Sequence, residues 1–396
     1  MTAVTARAQV VGATPQPPWR RVLAVGVAGL LAGAILLGLQ FVRLDRNHLG
    51  DGPSAPFFVG TAWHLDEELT ARGIHVVIRP GKGYDGQWFL GLAYDPLLRE
   101  HLADGFDMPR YRARRPLLAM AGWVLAAGQP AAVPAALLAV ELLAVGIGCA
   151  ATGRLLAAAG LSRWWGLGFA VVPGVVVGVM FGTAEPLGVA LAVLGLSLAL
   201  ERRLVPAGLA FAAAGVTKET YLGFAGAAAI WLLLRSRAAV LERLRAAATV
   251  FVPGAVLLGA WWWYVAVMVP PSRTDEAGLD AIAVPFVGWG HTLARIAGGG
   301  YVPDAPVGVV GPASLVASFA LLVVAVALTL RVRTLLDWTG LIMGVYGLVI
   351  AGGELDRFLS ASRALAPCVI GAALGVVAVV ALSRSGRIRH DVDSGA

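Results

Sequence analysis

The chain has 396 residues, 58% of them hydrophobic and only 14% charged, with a mean hydropathy of +0.76. A soluble domain carries about 25% charged residues, so this composition cannot cover a water-facing surface and points to a polytopic membrane protein. The net charge of +7 does not indicate nucleic acid as a partner, because the basic residues fall in short clusters between apolar segments and not along one face.

Residues 1–21 are small, polar and Pro-containing up to Arg20 and Arg21, and read as a cytoplasmic tail. The apolar run 22–42 is too long for the core of a signal peptide and, at 1.5 Å per residue, long enough to span a bilayer as an uncleaved first helix. Residues 43–115 form a long polar loop holding ten of the 24 acidic residues. A loop of that length needs internal structure. A short helix is expected to begin at 66–70. A second is expected over 86–94, entered at Asp85 and stopped by Pro96.

Segment 117–128 is apolar but short for a span and fits a re-entrant or interfacial helix. Spans are expected at 131–153, 164–182, 187–201, 204–216, 221–235, 249–269, 313–331, 336–352 and 363–383. Those at 187–201 and 204–216 are short enough to require tilt, a thinned bilayer or a protein-lined cavity. The linker 236–248, with Arg237, Arg243 and Arg245, reads as an interfacial helix attracted to anionic lipid. Residues 270–312 form a second outward loop with Trp289, His291 and Tyr301, and 384–396 a second tail.

Charge fixes the orientation of this map. With 117–128 not crossing, Arg154, Arg163, Arg202, Arg203, Arg235, Arg243, Arg331, Arg333 and Arg384 share the side of Arg20 and Arg21. Glu185, Glu219, Glu354 and Asp356 share the other side with the first loop. The Lys/Arg bias then gives an all-α protein of about ten spans, with both termini cytoplasmic and the 43–115 and 270–312 loops extracytoplasmic.

The chemistry-bearing residues sit at that outer rim. No phosphate-binding G-x-x-x-x-G-K-[ST] loop, H-E-x-x-H helix or G-x-S-x-G elbow occurs. Cys149 and Cys368 lie inside apolar segments and imply no disulfide framework. Ionisable residues at membrane depth are costly and default to functional candidates. Asp85 has two readings, a helix N-cap or a general base. The cluster Arg110–Arg115 either snorkels to headgroups or grips a phosphate through paired N–H donors. Glu185, Lys218 and Glu219 are either solvated loop charges or site residues. Glu354, Asp356 and Arg357 form either a salt-bridged loop or a second phosphate contact. Trp261-Trp262-Trp263-Tyr264 reads first as packing or an aromatic belt.

The stretch Gly83-Tyr84-Asp85-Gly86-Gln87-Trp88-Phe89, running on to Tyr94-Asp95-Pro96, resembles the YDGQ-type signature of bacterial GT-C integral-membrane glycosyltransferases. It is also similar to the aromatic-Asp motif of the enzymes adding the second mannose to GPI anchors. Tyr111-Arg112-Ala113-Arg114-Arg115, Thr217-Lys218-Glu219 and Glu354-Leu355-Asp356-Arg357 resemble three later elements of that class, in the same order. Leu90-Gly91 stands where relatives tend to have Tyr-Arg, and Lys218 replaces an Arg.

The resemblance implies transfer of a sugar, such as mannose or arabinose, from a polyprenyl-phosphate carrier to a glycan or lipid-linked acceptor in the cell envelope, with inversion. Asp85 would be the catalytic base, with Tyr84 and Gln87 beside it. Arg112, Arg115, Arg357 and Lys218 would hold the donor phosphate, Glu354 would support Arg357, and Glu185 and Glu219 would shape the acceptor pocket. No cofactor is required; Mg²⁺ or Mn²⁺ is compatible with carboxylates and phosphate. A lipid-linked-saccharide flippase, or a non-catalytic membrane partner that keeps the fold, are the alternatives.

Overall fold

The computed structural model describes residues 19–235, 239–272, 284–301, 310–330, 334–350, 355 and 358–384. Fifteen α-helices follow one another among these residues. They are α1 (Trp19–Arg46), α2 (Leu65–Ala71), α3 (Gly86–Tyr94), α4 (Pro109–Ala113), α5 (Leu117–Leu125), α6 (Val133–Ala158), α7 (Pro173–Phe181), α8 (Glu185–Leu200), α9 (Leu204–Thr217), α10 (Leu222–Arg235), α11 (Val240–Met268), α12 (Val287–Ala297), α13 (Val310–Thr329), α14 (Leu335–Leu348) and α15 (Phe358–Arg384). Two-residue strands β1 (Val59–Gly60) and β2 (Ile78–Arg79) pair in parallel. The architecture is that of an all-α membrane protein. Among the described residues five helices are long and apolar enough to cross a membrane, and a sixth span results if the pair Arg163–Val171 and Pro173–Phe181, bent by 57°, counts as one.

The remaining apolar helices are shorter, and their positions explain why. Helix α8 is buried on nearly all sides and packs against α6, α9 and α10. Its length answers to protein neighbours and not to the lipid thickness. The outer helices carry the lipid-type surface instead. Leu23, Val27, Leu31, Ile35 and Leu39 are exposed at intervals of four residues along one face of α1. The opposite face meets α6 through a small-residue seam where Gly26 approaches the backbone of Gly146.

The 43–115 loop is a folded cap whose core is continuous with that of the bundle. Trp88 stacks on Phe106 at 5.1 Å, and Leu65, Leu69, Leu90 and Leu102 are sealed beneath. Arg79 ties its edge together, donating to Leu49 O (2.7 Å) and Ala55 O (2.9 Å) with its guanidinium 3.8 Å above the Phe58 ring. The expected helices at 66–70 and 86–94 are α2 and α3. Segment 117–128 contains α5, which doubles back against the start of α6 and leaves Val124 and Leu125 exposed.

The linker differs from expectation. Residues 236–238 lie outside the described set, and from Val240 the chain is already the first turns of α11. It therefore makes no separate interfacial helix, and Arg243 caps the end of α10 by donating to Leu233 O at 3.1 Å. Of the loop 270–312, α12 is described. Its buried Trp289 donates to Gly347 O at 2.8 Å, while His291 is exposed.

Where the cap meets the bundle, two glycines permit close approach. A Cβ on Gly86 would collide with the carbonyl oxygen of Phe181, and Gly182, which ends α7 at φ +63°, leaves room only for the Phe57 ring. Gly86→Ala is expected to cost about 1–3 kcal/mol through overpacking and to lower the thermal midpoint of the detergent-solubilised protein. Gly38→Ala, in open space on α1, should not lower it; equal effects would show that the Gly86–Phe181 approach is not a constraint.

Candidate functional site

Asp85 occupies the turn that starts α3. It is the helix N-cap by position, but its side chain makes no capping hydrogen bond, so the carboxylate is free for partners elsewhere. Both partners come from distant segments. Arg112 on α4 donates to Asp85 Oδ2 at 3.1 Å, and Arg363, in the second turn of α15, donates to the same oxygen at 2.7 Å. Oδ1 accepts nothing among the described residues. The side chain is 29% exposed, against 13% for Arg112 and 8% for Arg363.

Each arginine is itself held. Arg112 makes a bidentate pair with Asp107, Nε and Nη2 both 2.9 Å from its oxygens. Arg363 Nε lies 3.1 Å from Glu185 Oε2. Glu185, the first residue of α8, accepts from Thr183 Oγ1 at 2.5 Å and from Lys218 Nζ at 3.3 Å. Beside this chain, Arg115 grips Glu219 through Nε (3.2 Å) and Nη2 (2.7 Å), and Nη2 also reaches the Tyr111 hydroxyl at 2.8 Å. Four cations, Arg112, Arg115, Lys218 and Arg363, thus face four carboxylates, Asp85, Asp107, Glu185 and Glu219.

Burial pushes the Asp85 carboxyl up, but Arg112 and Arg363 outweigh it and hold the group well below the usual carboxylate range. Tyr84 stacks on Phe181 (4.8 Å) under the Arg363 guanidinium (5.4 Å), and burial pushes its hydroxyl up to about 12.

The expected site residues divide accordingly. Asp85, Tyr84, Arg112, Glu185 and Lys218 come together directly, with Arg115 and Glu219 alongside. Gln87 is spent inside the cap: it accepts from Gly60 N (3.0 Å) and donates to Lys82 O (2.9 Å). Asp95, ten residues after Asp85, accepts the backbone amides of Arg99, Glu100 and Leu102 and closes a turn. Of the tryptophan run, Trp261 donates to Ala113 O at 2.9 Å and Trp262 lies under Arg114, while Trp263 is exposed, so the run mixes packing with an outward-facing aromatic. Glu354, Asp356 and Arg357 lie outside the described residues. Arg363, read from the sequence only as one of the charges flanking the start of the last span, is the late basic residue that reaches the site. Asp107 was missed because nothing local marks it as the partner of Arg112. Among the described residues no group of three or more His, Cys, Asp or Glu is placed to hold a metal ion.

Compared with protein-family models, with curated proteins and with solved structures, the chain gives no match.

The ion pairs predict a pH signature. A carboxyl whose folded pKa lies below its unfolded value of about 3.9 contributes stability that is complete above that value and lost as pH falls through the folded one. Asp85→Asn should lower the thermal midpoint, by an amount constant between about pH 8 and pH 5 and shrinking only in stronger acid. A difference that changes near neutral pH would contradict the pairing.

Proposed function

We propose that the protein is a membrane glycosyltransferase that moves a sugar from a polyprenyl-phosphate carrier to a hydroxyl acceptor, with Asp85 as the base. The observation that carries this reading is the Asp85 carboxylate, partly exposed and bound through one oxygen to guanidinium groups from two distant segments. A carboxylate with one open oxygen suits proton removal, and guanidinium groups suit a departing phosphate. The GT-C resemblance of the segment carrying Asp85 points the same way.

In this mechanism the acceptor oxygen attacks the anomeric carbon and gives its proton to Asp85. The bond from that carbon to the phosphate oxygen breaks, and the phosphate leaves with the electron pair. The neutral charge balance bears on the order of events. A phosphate anion must take guanidinium groups that are already paired, and Asp85, held by a single oxygen, is the carboxylate most easily displaced. Losing Arg112 and Arg363 to the donor returns to Asp85 the basicity that they suppress, so that the base is activated by donor binding.

The orientation follows the charge distribution. Asp85, Glu185, Lys218, Glu219 and Arg363 share one end of the bundle, while the Arg154–Glu201 pair and Arg202, over Trp231, sit at the other ends of α6, α8 and α10. Counting α1, α6, the bent pair, α8 to α11 and α13 to α15 as spans, this second end is cytoplasmic and the site faces out, in the cell membrane.

Asp85→Asn should cut transfer from polyprenyl-phosphate mannose or arabinose by about 10²–10⁴-fold, the usual cost of a lost base, while retaining donor binding. Arg363→Met should weaken donor binding. Full activity in Asp85→Asn would favour a flippase or a scaffold instead. A single cysteine at exposed Lys82 should react with a membrane-impermeant reagent from outside the cell. The native Cys149 and Cys368 are buried and give little background.

A further inference from the structure

Glu141 is the only charged residue in the apolar segment 131–153 and takes no part in the chemistry above. It lies on α6 with a fully buried side chain, and neither carboxyl oxygen has a hydrogen-bond partner among the described residues. Its depth can be read from the α5–α6 hairpin. Gly122 meets Leu137 there, so one helical turn further along each antiparallel helix sets Leu118 level with Glu141. Leu118 is three residues from Arg115, and Glu141 is close enough to Glu185 to feel its charge.

A second buried group stands in the same condition. Tyr221, at the junction of α9 and α10, is fully buried, its hydroxyl has no partner among the described residues, and Glu185, Arg363 and Arg115 all act on it electrostatically. An acid and a phenol left unsatisfied at this depth cost free energy that apolar side chains would not. Both lie within electrostatic reach of Glu185, and the Tyr221 ring packs against Gly188, one turn along α8 from it.

We propose that Glu141 and Tyr221 bind the hydroxyls of the sugar carried by the donor. This rests on the donor reading above and adds the sugar-recognition end of the site. The phosphate is served by the arginines, and the charges around Glu185 already balance, so an uncharged ligand suits this end. A sugar ring presents adjacent hydroxyls, each donor and acceptor, which match a carboxyl and a phenol. Glu141 is enclosed in the present arrangement, so sugar binding requires it to become accessible when the donor is bound.

The test compares farnesyl phosphate with farnesyl-phosphoryl mannose and farnesyl-phosphoryl arabinose, binding to the full chain in nanodiscs. Glu141→Leu and Tyr221→Phe should leave farnesyl phosphate affinity unchanged and weaken one of the sugar-bearing probes by about tenfold or more, with Glu141→Gln losing less. Glu141→Leu should unfold no earlier than wild type, which separates lost recognition from lost structure. Equal losses on bare and sugar-bearing probes, or none on either sugar, overturn the proposal. Tighter binding of an amino-sugar probe than of both neutral sugars also overturns it, because the acid then serves a cation. If wild type binds no probe, the donor reading fails and the subsite with it. If Arg363→Met alone abolishes farnesyl phosphate binding and Glu141→Leu is silent, only the subsite fails.

Discussion

Arg363 joins the cap to the bundle electrostatically, as Arg115 does through Glu219. Its guanidinium holds Asp85, 278 residues earlier in the chain, and Glu185 at the start of α8. Each group alone would be expensive to bury, since the effective penalty for an ion out of water is several kcal/mol. Together they are tolerable only because the geometry satisfies both carboxylates at once. The arrangement therefore depends on three elements keeping register: the α3 turn, the α8 start and the second turn of α15. The collision waiting at Gly86 shows how tightly the first of these is set against α7.

The same pairing gives the site its chemical character. A carboxylate held by two guanidinium groups is a poor base, and guanidinium groups held by carboxylates are poor anion receptors. A site built only for stability gains little from such pairs, because apolar replacements often do as well. What the arrangement does offer is exchange. An anion that competed for Arg112 and Arg363 would raise the basicity of Asp85 without moving a helix.

Neighbouring acids behave differently because their partners differ. Asp95 faces backbone amides and serves as a turn closure, and Glu219 faces a single arginine in a bidentate pair. Glu141 faces nothing among the described residues. With Asp85, these acids of one formal chemistry thus acquire four different capacities from their surroundings.

Composition and hydropathy determined the class: too little charge to clothe a soluble surface leaves a helical membrane protein. Local pattern determined α3, since Asp85 and Pro96 bracket an apolar run of helical length, and it marked Asp85, Arg112, Glu185 and Lys218 as charges at a membrane edge. Local sequence did not separate Asp85 from Asp95 or show that Gln87 is spent on the cap backbone. It also did not show that Val240 onward belongs to α11. Those outcomes are set by which backbone groups and helices lie opposite, and that is a matter of tertiary packing. Arg363 and Glu141 are charges at or inside apolar segments to which the sequence alone assigns no role. Their partnership, or lack of one, was decided only when α15 met α3 and α8 and when α6 was enclosed, because the strength of an electrostatic pair depends on distances that the order of residues along a chain does not contain.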